Sequence, residues 1–262
     1  KINDKNEITF IGLGAYDQFE INESVNDGVT DQETIDRNDY ILGNLASNDQ
    51  WSYTVGASYK HFADQSFQQI VVSRNHLDNR AKKYKNNDES IPSNKILDYI
   101  SQEIENKIRI EHTWRKNGWK WNVGGGYENT LYTNRTYSKF VTTSGIEATS
   151  KFKSTLFLNK YIGFSQLSKG LMANRLKLSL GLRTEMVGYN KSMMNPLNQL
   201  SPRFSLSYVF APKWSFNASV GRYFQLPPFT LLGYRDNGNN LINKQNNVSF
   251  IQCDHFVAGV EF

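Results

Sequence analysis

Histidines and glycine runs are the first places to look for chemistry, because imidazole binds metals and glycine loops can hold phosphates. The four histidines, His61, His76, His112 and His255, do not have the spacing of a metal-ligand set. The run 124–126 is three glycines, but no helical pattern follows it as a phosphate loop requires. This run predicts a bend or a place that a plug inside the fold approaches closely. We therefore expect no enzyme, no catalytic residues, no metal and no cofactor.

The segment from Glu103 to Arg115 carries the densest set of charges in a regular pattern. One side chain in two is polar, whereas Ile104, Ile108, Ile110 and Trp114 occupy the intervening positions with Asn106 and His112. Successive side chains of a strand point to opposite faces, so the segment predicts a strand with one charged face. That face needs water or ion pairing. The charged face carries Glu103, Glu105, Lys107, Arg109, Glu111, Thr113 and Arg115.

Composition excludes several classes of protein. The 262 residues are 39% hydrophobic and 13% aromatic, so a disordered chain is not expected. No apolar run approaches the roughly 18 residues of a transmembrane helix. The net charge of +5 does not by itself indicate nucleic acid, and we expect no nucleic-acid partner. The single cysteine, Cys253, excludes an internal disulfide.

Alternation of apolar and polar residues with period two is the strongest structural signal. Leu176, Leu178, Leu180 and Leu182 alternate with polar residues and glycine, so one face of this strand is fully apolar. Similar alternation predicts about ten strands. They lie near residues 6–20, 48–62, 66–82, 101–116, 119–138, 150–165, 174–189, 200–211, 213–226 and 252–262.

The connections alternate between short turns and long polar loops, the latter near 22–47, 84–100, 139–149, 190–199 and 227–250. The predicted strands exceed the roughly 5–6 residues usual in soluble proteins, whereas a tilted strand crosses a bilayer in about 9–11. Aromatic residues cluster near strand ends, as at Trp51 and Trp119. These features predict an all-β, antiparallel transmembrane β-barrel segment.

Three predicted strands alternate imperfectly. In the first, Ile11, Leu13 and Ala15 oppose Ile8, Phe10 and Tyr16. Strands 66–82 and 150–165 also mix their faces. Apolar residues on an inner wall fit contact with a plug inside the barrel, and β-bulges would produce the same pattern. The sequence leaves both explanations open.

The stretch 200–229, LSPRFSLSYVFAPKWSFNASVGRYFQLPPF, resembles a recurrent hairpin in the barrels of TonB-dependent outer-membrane receptors of Bacteroidetes-type bacteria. A Pro-Arg pair begins one strand, a short turn precedes an aromatic residue, and the next strand ends in Gly-Arg-Tyr-Phe followed by Pro-Pro. Residues 38–44 and 51–56 look similar to loop and strand segments of the same group.

The resemblance implies a barrel of about 22 strands with a plugged lumen, of which ten strands are about half. Residues 1–262 are then part of the barrel domain, with the plug domain and signal peptide outside this chain. It also implies TonB-dependent import of a scarce nutrient across the bacterial outer membrane. The implied partners are outer-membrane lipid, the protein's own plug, the TonB complex and a small nutrient ligand.

A ligand site is expected at the long-loop end, because long outer loops would line the path of a ligand. The candidate residues are Arg222, Tyr223, Gln225, Tyr234, Arg235 and Asn237. The charged face of 103–115 either pairs with charges of a plug or is wetted generically, and both interpretations stay open. The cluster Lys82-Lys83-Tyr84-Lys85 is either in contact with anionic lipid headgroups or simply solvated.

Two other functional classes remain as alternatives. One is a passive porin or structural barrel, and the other is a soluble two-sheet β-protein that binds carbohydrate or hydrolyses its substrate. The two-sheet alternative requires the leucine stripe 176–182 to be buried against a second sheet, whereas the membrane interpretation requires hydrocarbon to cover it.

Overall fold

The computed structural model describes residues 1–43, 45–236 and 238–262, and these form one ten-stranded antiparallel sheet. Each strand pairs with its neighbours along the chain, so the order across the sheet is the order of the sequence. The strands are β1 (Asn6–Phe19), β2 (Ser47–Ala63), β3 (Ser66–Tyr84), β4 (Lys95–Lys116), β5 (Trp119–Val141), β6 (Glu147–Leu171), β7 (Leu176–Val187), β8 (Ser201–Ala211), β9 (Trp214–Gln225) and β10 (Ile251–Glu261). The predicted all-β class and the ten strands are confirmed.

Two strands are longer than the sequence predicted. β4 begins at Lys95 rather than near residue 101, and β6 continues to Leu171 rather than ending near residue 165. The additional residues pair in register with the neighbouring strands, for example Leu167 with Leu180. Cross-strand hydrogen bonds therefore extend these strands beyond what their own alternation indicates.

The leucine stripe of β7 lies on a face that no described part of the chain covers. Leu180 is 62% exposed and Leu182 is 47% exposed. Leu180 continues a row of apolar residues that face the same side across β6, β8, β9 and β10, because directly paired residues share a face. The members of that row are Leu167, Phe204, Val220 and Phe256. We call this side of the sheet the apolar face and the opposite side the polar face.

The apolar face continues through the first half of the sheet. A second row of paired residues joins β1 to β5 and consists of Phe10, Ala57, Val72, Ile108 and Tyr127. Phe10 is 78% exposed and Val72 is 45% exposed. Since all described strands belong to one sheet, the two-sheet alternative is not the observed arrangement.

The two ends of the strands differ. Short turns at 64–65, 117–118, 172–175 and 212–213 lie at one end, which we call the short-turn end. The connections 20–46, 85–94, 142–146, 188–200 and 226–250 lie at the other, the long-loop end. Trp114, Trp119 and Trp121 flank the short-turn end, and Tyr127 on the apolar face lies six residues above Trp121, roughly 20 Å along the strand. Aromatic side chains therefore lie at two levels of the apolar face.

The imperfect alternation of β6 has a specific cause. Leu156 and Leu158 point to the polar face, where they are only 5% and 4% exposed. The β5–β6 and β6–β7 registers run without a shift, so a bulge is not the reason. The β1–β2 register is also continuous. Ile11 and Leu13 of β1 consequently point to the polar face and are 56% and 69% exposed.

The connection between β1 and β2 contains an α-helix that the sequence did not predict. Helix α1 (Gln32–Leu42) begins after Asp31, whose carboxylate accepts a hydrogen bond of 2.9 Å from the Thr34 backbone N–H. Asp31 followed by Glu33 in the first turn is a usual helix start. This signal is present in the sequence of the connection between β1 and β2. No described helix has the length and apolar character needed to span a membrane.

Acid should remove the cap of helix α1. The Thr34 side-chain and backbone hydrogen bonds lower the pKa of the Asp31 carboxyl from its ordinary value of 3.8. A carboxyl whose pKa is lower in the folded than in the unfolded state contributes its full share of the folding stability above the unfolded-state pKa. That share is lost as the pH falls through the folded-state pKa. Hydrogen exchange of 32–42, corrected for intrinsic rates, should show protection that falls only below pH 3.8. An Asp31→Asn variant should show no such step, and the same step in that variant would contradict the assignment.

Candidate functional site: the polar face and the segment folded against it

The charged residues of β4 line the polar face and are paired along the strand. Lys107 Nζ lies 2.7 Å from Glu105 Oε2, and Arg109 Nη2 lies 2.8 Å from Glu111 Oε2. Residues two apart on a strand share a face, so these ion pairs form within the predicted ladder itself. The Arg115 guanidinium lies over the Phe67 ring, 5.6 Å from its centroid, near the short-turn end.

The same face carries charges from β5, β6 and β7 that the sequence analysis missed. Lys160 Nζ lies 2.7 Å from Glu128 Oε2 and 3.8 Å from Glu185 Oε2. Arg183 Nε donates to Glu185 Oε1 at 2.9 Å. The side chains of Lys160, Glu128 and Glu185 are 14–21% exposed, so the pairs are partly shielded from water. Extending period two beyond each recognised stripe would have found them.

We give the name charge bank to six of these residues: Glu105 and Lys107 of β4, Glu128 of β5, Lys160 of β6, and Arg183 and Glu185 of β7. Lys107 pairs in register with Glu128, and Glu128 with Lys160, so alternating charges cross three strands side by side. Opposite charges in directly paired positions stabilise a sheet, whereas like charges destabilise it. The arrangement makes a wall that is charged and internally neutralised.

The glycine run allows an aromatic ring to lie close to this wall. Arg109 Cζ is 4.8 Å from the centroid of the Phe164 ring. A Cβ atom on Gly124 would meet the Ile110 carbonyl oxygen at 2.5 Å and a Phe164 ring atom at 2.6 Å. The run is therefore a place of close approach within the sheet, whereas the predicted bend or close approach of a plug stays a prediction.

Alanine at Gly124 should destabilise the barrel by about 1–3 kcal/mol, because the added methyl group must displace the Phe164 ring and the neighbouring strand. The matched control is Gly12→Ala, since a Cβ atom there would meet nothing within 4 Å. Thermal unfolding of the two variants in the same detergent measures the difference. Equal melting temperatures would show that Gly124 is not sterically required.

The connection 226–250 folds back onto the polar face instead of extending from the sheet. It contains two short helices, α2 (Phe229–Leu232) and α3 (Ile242–Gln245). Leu232 is fully buried and Phe250 is 8% exposed. The main hydrophobic core is formed where this segment meets β5, β6 and the connection 188–200. Its buried members are Tyr132, Leu156, Leu158, Val187, Tyr189, Met193, Leu232 and Phe250.

Specific polar contacts fix this segment. The Tyr189 hydroxyl donates to the Leu232 carbonyl at 2.8 Å, and Asn190 Nδ2 donates to the Val248 carbonyl at 2.9 Å. Burial raises the pKa of Tyr189, so its hydroxyl remains protonated as a donor. Leu156 and Leu158 are thus apolar residues contacted from inside. The contact on β6 does come from inside, but the partner is the chain's own loop and not the plug that the sequence analysis expected.

An open cleft of about 460 Å³ lies beside this segment on the polar face. Glu103, Glu105, Lys160 and Glu185 supply its charged side, while residues 224–229 form the other side. Carboxylate oxygens, one ammonium group and the Pro227–Pro228 wall can together hold a polar ligand with an apolar portion.

The six predicted ligand residues occupy different places. Gln225 lines the cleft. The Tyr223 ring stacks on His255 at 4.8 Å between ring centroids and lies beneath the Arg203 guanidinium at 4.3 Å. Arg222 points to the apolar face, because it is in register with Asp254 and alternates with Tyr223. Its guanidinium forms hydrogen bonds of 2.8 and 3.0 Å with the two Asp254 carboxylate oxygens.

The other three candidates belong to the segment 226–250. Tyr234 is 46% exposed and meets the Phe152 ring edge-on at 6.0 Å. Arg235 Nη1 donates to the Asn239 carbonyl at 2.8 Å within this segment. Asn237 lies outside the described residues. The structure therefore brings Tyr234 and Arg235 onto one segment and Gln225 beside the cleft, with Arg222 on the opposite face of the sheet.

Within the described ranges, no group of three or more His, Cys, Asp or Glu side chains is arranged to hold a metal ion. Glu105, Glu128 and Glu185 of the polar face are engaged with lysine or arginine instead, as the ion pairs of the charge bank show.

Comparison with known proteins gives one family and one fold. A family model described as "TonB dependent receptor-like, beta-barrel" matches residues 3–250. No curated protein matches the chain. A solved structure named "Copper transporter OprC" superposes with a TM-score of 0.61 at 16% identity, covering 83% of this chain and 38% of that one.

Two further structures agree in fold. FpvA of P. aeruginosa, bound to heterologous pyoverdines, has a TM-score of 0.56 at 17% identity, over 82% of this chain and 31% of that one. BauA, the ferric preacinetobactin receptor of Acinetobacter baumannii, has a TM-score of 0.52 at 11% identity, over 82% and 35%. The chain thus spans about a third of the length of these proteins, which are named as a transporter or as receptors of small ligands.

Proposed function

This chain belongs to the TonB-dependent receptor β-barrel family, and we propose that the protein it forms imports a scarce nutrient actively through the outer membrane. Proteins of this family lie in the outer membrane of Gram-negative bacteria, where hydrocarbon covers the apolar face. The observation that carries the proposal is the opposite face: an ion-paired charge bank together with an inward-folded segment. A wall of this kind suits a lumen filled by protein and ligand.

We propose that the ten strands are a contiguous part of a larger barrel of about 22 strands. β1 and β10 do not pair with each other within the described chain, so the sheet has two free edges. A free edge in hydrocarbon leaves backbone N–H and C=O groups without partners, at a cost of several kcal/mol per group. Further strands must therefore close the barrel. The limited coverage of the matched structures supports this proposal.

A plug domain elsewhere in the polypeptide is the partner we propose for the polar face. Ile11 and Leu13 are exposed there without a covering element in the described chain, although β1 pairs in regular register. The residues Glu103, Glu105, Lys107, Arg109, Glu111 and Arg115 would then face the plug. Through the plug, the TonB complex would supply the energy for release of the ligand.

The ligand would bind at the long-loop end, where the cleft and the segment 226–250 lie. Tyr223, Gln225, Tyr234, Arg235 and Asn237 remain the proposed contacts, whereas Arg222 lies on the opposite face of the sheet, where it is paired with Asp254. Structures named for copper, pyoverdine and preacinetobactin support metal-carrying nutrients as a substrate class. The stretch 200–229 supports a receptor of the Bacteroidetes type. No covalent step is required of these residues.

Dependence on TonB is the deciding test. The complete gene should restore growth of a receptor-deleted strain on limiting nutrient only when tonB is intact, with a panel of ferric siderophores, copper and vitamins as the nutrients. Restoration without tonB, at a rate proportional to nutrient concentration, would identify a passive porin and overturn the proposal.

A further inference from the structure

The cleft beside the segment 226–250 contains one carboxylate that the chain's own cations do not neutralise. In the charge bank, every carboxylate has a lysine or arginine nitrogen within 4.0 Å, and the three acids balance the three bases. Glu103 also lines the cleft, two residues from Glu105 on the same face of β4. Within the described part of the chain, no basic nitrogen lies within 4.0 Å of the Glu103 carboxylate. The charge bank and Glu103 together therefore carry one net negative charge, which belongs to Glu103.

The surroundings of Glu103 make this unpaired charge costly. Glu103 is partly buried and is directly paired across the sheet with Tyr132, which is 1% exposed. The Tyr132 ring packs against the Phe229 ring of the inward-folded segment, with 5.9 Å between the ring centroids. A carboxylate that is partly removed from water is stabilised when a cation donates a hydrogen bond to it. A cation from outside the described chain would supply that hydrogen bond.

The opposite side of the cleft offers hydrocarbon to the same ligand. Of the residues 224–229 that form it, Gln225 alone has a polar side chain. Pro228 is exposed and Phe229 is partly exposed, so both can contact a ligand. An aromatic ring attracts a cation at its face as well as hydrocarbon. The cleft of about 460 Å³ has the size of a small-molecule site, for which about 300–1,000 Å³ is usual.

We propose that this cleft binds the cationic end of the imported nutrient. A primary ammonium or guanidinium group of the ligand donates hydrogen bonds to Glu103, and the hydrocarbon next to that group packs on Pro228 and Phe229. The inference rests on the proposed function and narrows the substrate class to compounds with such a group. Glu103 repels an anionic group, and a neutral group leaves its charge unpaired.

The test uses the full-length receptor with its plug, in neutral detergent micelles, and three probes of similar size. These are 2-phenylethylammonium, 2-phenylethanol and 3-phenylpropionate. Ligand-observed NMR gives their dissociation constants, with empty micelles as the blank. The wild type should bind the ammonium probe at least about tenfold more tightly than the alcohol, the factor expected of a hydrogen bond to a charged group. The propionate should bind most weakly.

Glu103→Gln keeps the shape of the side chain and removes its charge. The tenfold preference for the ammonium probe should disappear in this variant, while binding of the alcohol stays unchanged. The matched control is Glu7→Gln, which removes a carboxylate from the polar face of β1, outside the cleft, where Glu7 lies 3.9 Å from Lys60. The control should keep the wild-type preference. A preference that survives in Glu103→Gln, or that both variants lose equally, would overturn the proposal.

The wild type also decides by itself. Equal affinity for the ammonium probe and the alcohol would overturn the proposal, and this is the result expected if a cation of the plug occupies Glu103. If Glu103→Gln does not fold, photolysis of bound 2-(4-azidophenyl)ethylammonium should label residues 224–229, and labelling only elsewhere would refute the site. Binding needs no TonB, so TonB-dependent growth without an ammonium preference leaves the import proposal standing and removes this one alone.

Discussion

A receptor in which Leu180 and Leu182 are both replaced by arginine is expected to fail to insert into the outer membrane. Both side chains lie on the apolar face and are exposed to whatever surrounds the barrel. An arginine on the lipid side of a barrel costs about 2–4 kcal/mol near the bilayer midplane and less towards the interfaces. Two such substitutions together remove a large part of a typical free energy of unfolding of about 5–15 kcal/mol. Outer-membrane fractionation and heat-modifiable gel mobility measure the loss.

The matched control is Ser205→Arg, because Ser205 is in register with Ser179 and Ser219 on the polar face. It lines an open recess of about 610 Å³ together with Gln166, Ser179 and Asn217, where an arginine can remain hydrated. This variant should insert at close to the wild-type level. If Leu180→Arg/Leu182→Arg inserts as well as the control does, the apolar face is not in contact with lipid.

The second large effect concerns the inward-folded segment. Leu232→Ala should cost about 2–5 kcal/mol of the stability with which the segment 226–250 is held, because a large buried side chain is removed. Leu232 is fully buried beside Tyr132, and its carbonyl accepts the Tyr189 hydrogen bond. We expect the segment to become accessible to protease and to exchange its amide hydrogens faster, while the strands remain protected.

The neighbouring residue provides the control. Leu231 is 41% exposed, so Leu231→Ala removes the same atoms without leaving a buried cavity. Limited proteolysis and hydrogen exchange of both variants, in the same micelles, distinguish a loss of docking from a change in helix propensity, because both substitutions change the propensity in the same way. Equal protection of 226–250 in the two variants would show that burial of Leu232 does not hold the segment in place.

These two predictions address different parts of the molecule. The first tests where hydrocarbon meets the sheet, which decides whether the chain is a membrane barrel segment. The second tests whether the lumen side is partly occupied by the chain's own loop, which bears on how a ligand reaches the cleft beside Glu103 and Gln225. Loss of insertion leaves no receptor, whereas loss of docking leaves a receptor with an altered ligand path.

The candidate site was predictable only in part. The β4 ladder was recognised because its charges alternate over thirteen residues of one strand. Lys160, Glu128 and Glu185 were missed because an isolated charge has no visible partner in a sequence. Their significance comes from register: Lys107, Glu128 and Lys160 meet only when β4, β5 and β6 pair as they do.

The segment 226–250 shows the same limit. Its many Asn, Asp and Gly residues predict an exposed loop, and locally this is right for the turn closed by Asp236 and Asn240. Its few apolar residues, including Leu232 and Phe250, find partners in Leu156 and Leu158 of β6. No local pattern shows that two sets of apolar residues about 75 positions apart will cover each other.

The amino-acid sequence by itself determined the strands, their number and, where alternation is regular as in 176–182, the face that a strand turns to hydrocarbon, because alternation of side chains is a local property of an extended backbone. It also determined the class of the barrel through the pattern of short turns and long loops. Only the tertiary structure decided the faces of the strands that alternate imperfectly, the ion-paired charge bank and the docking of 226–250. Each of these depends on register across several strands, and register fixes distances between residues that are remote in sequence.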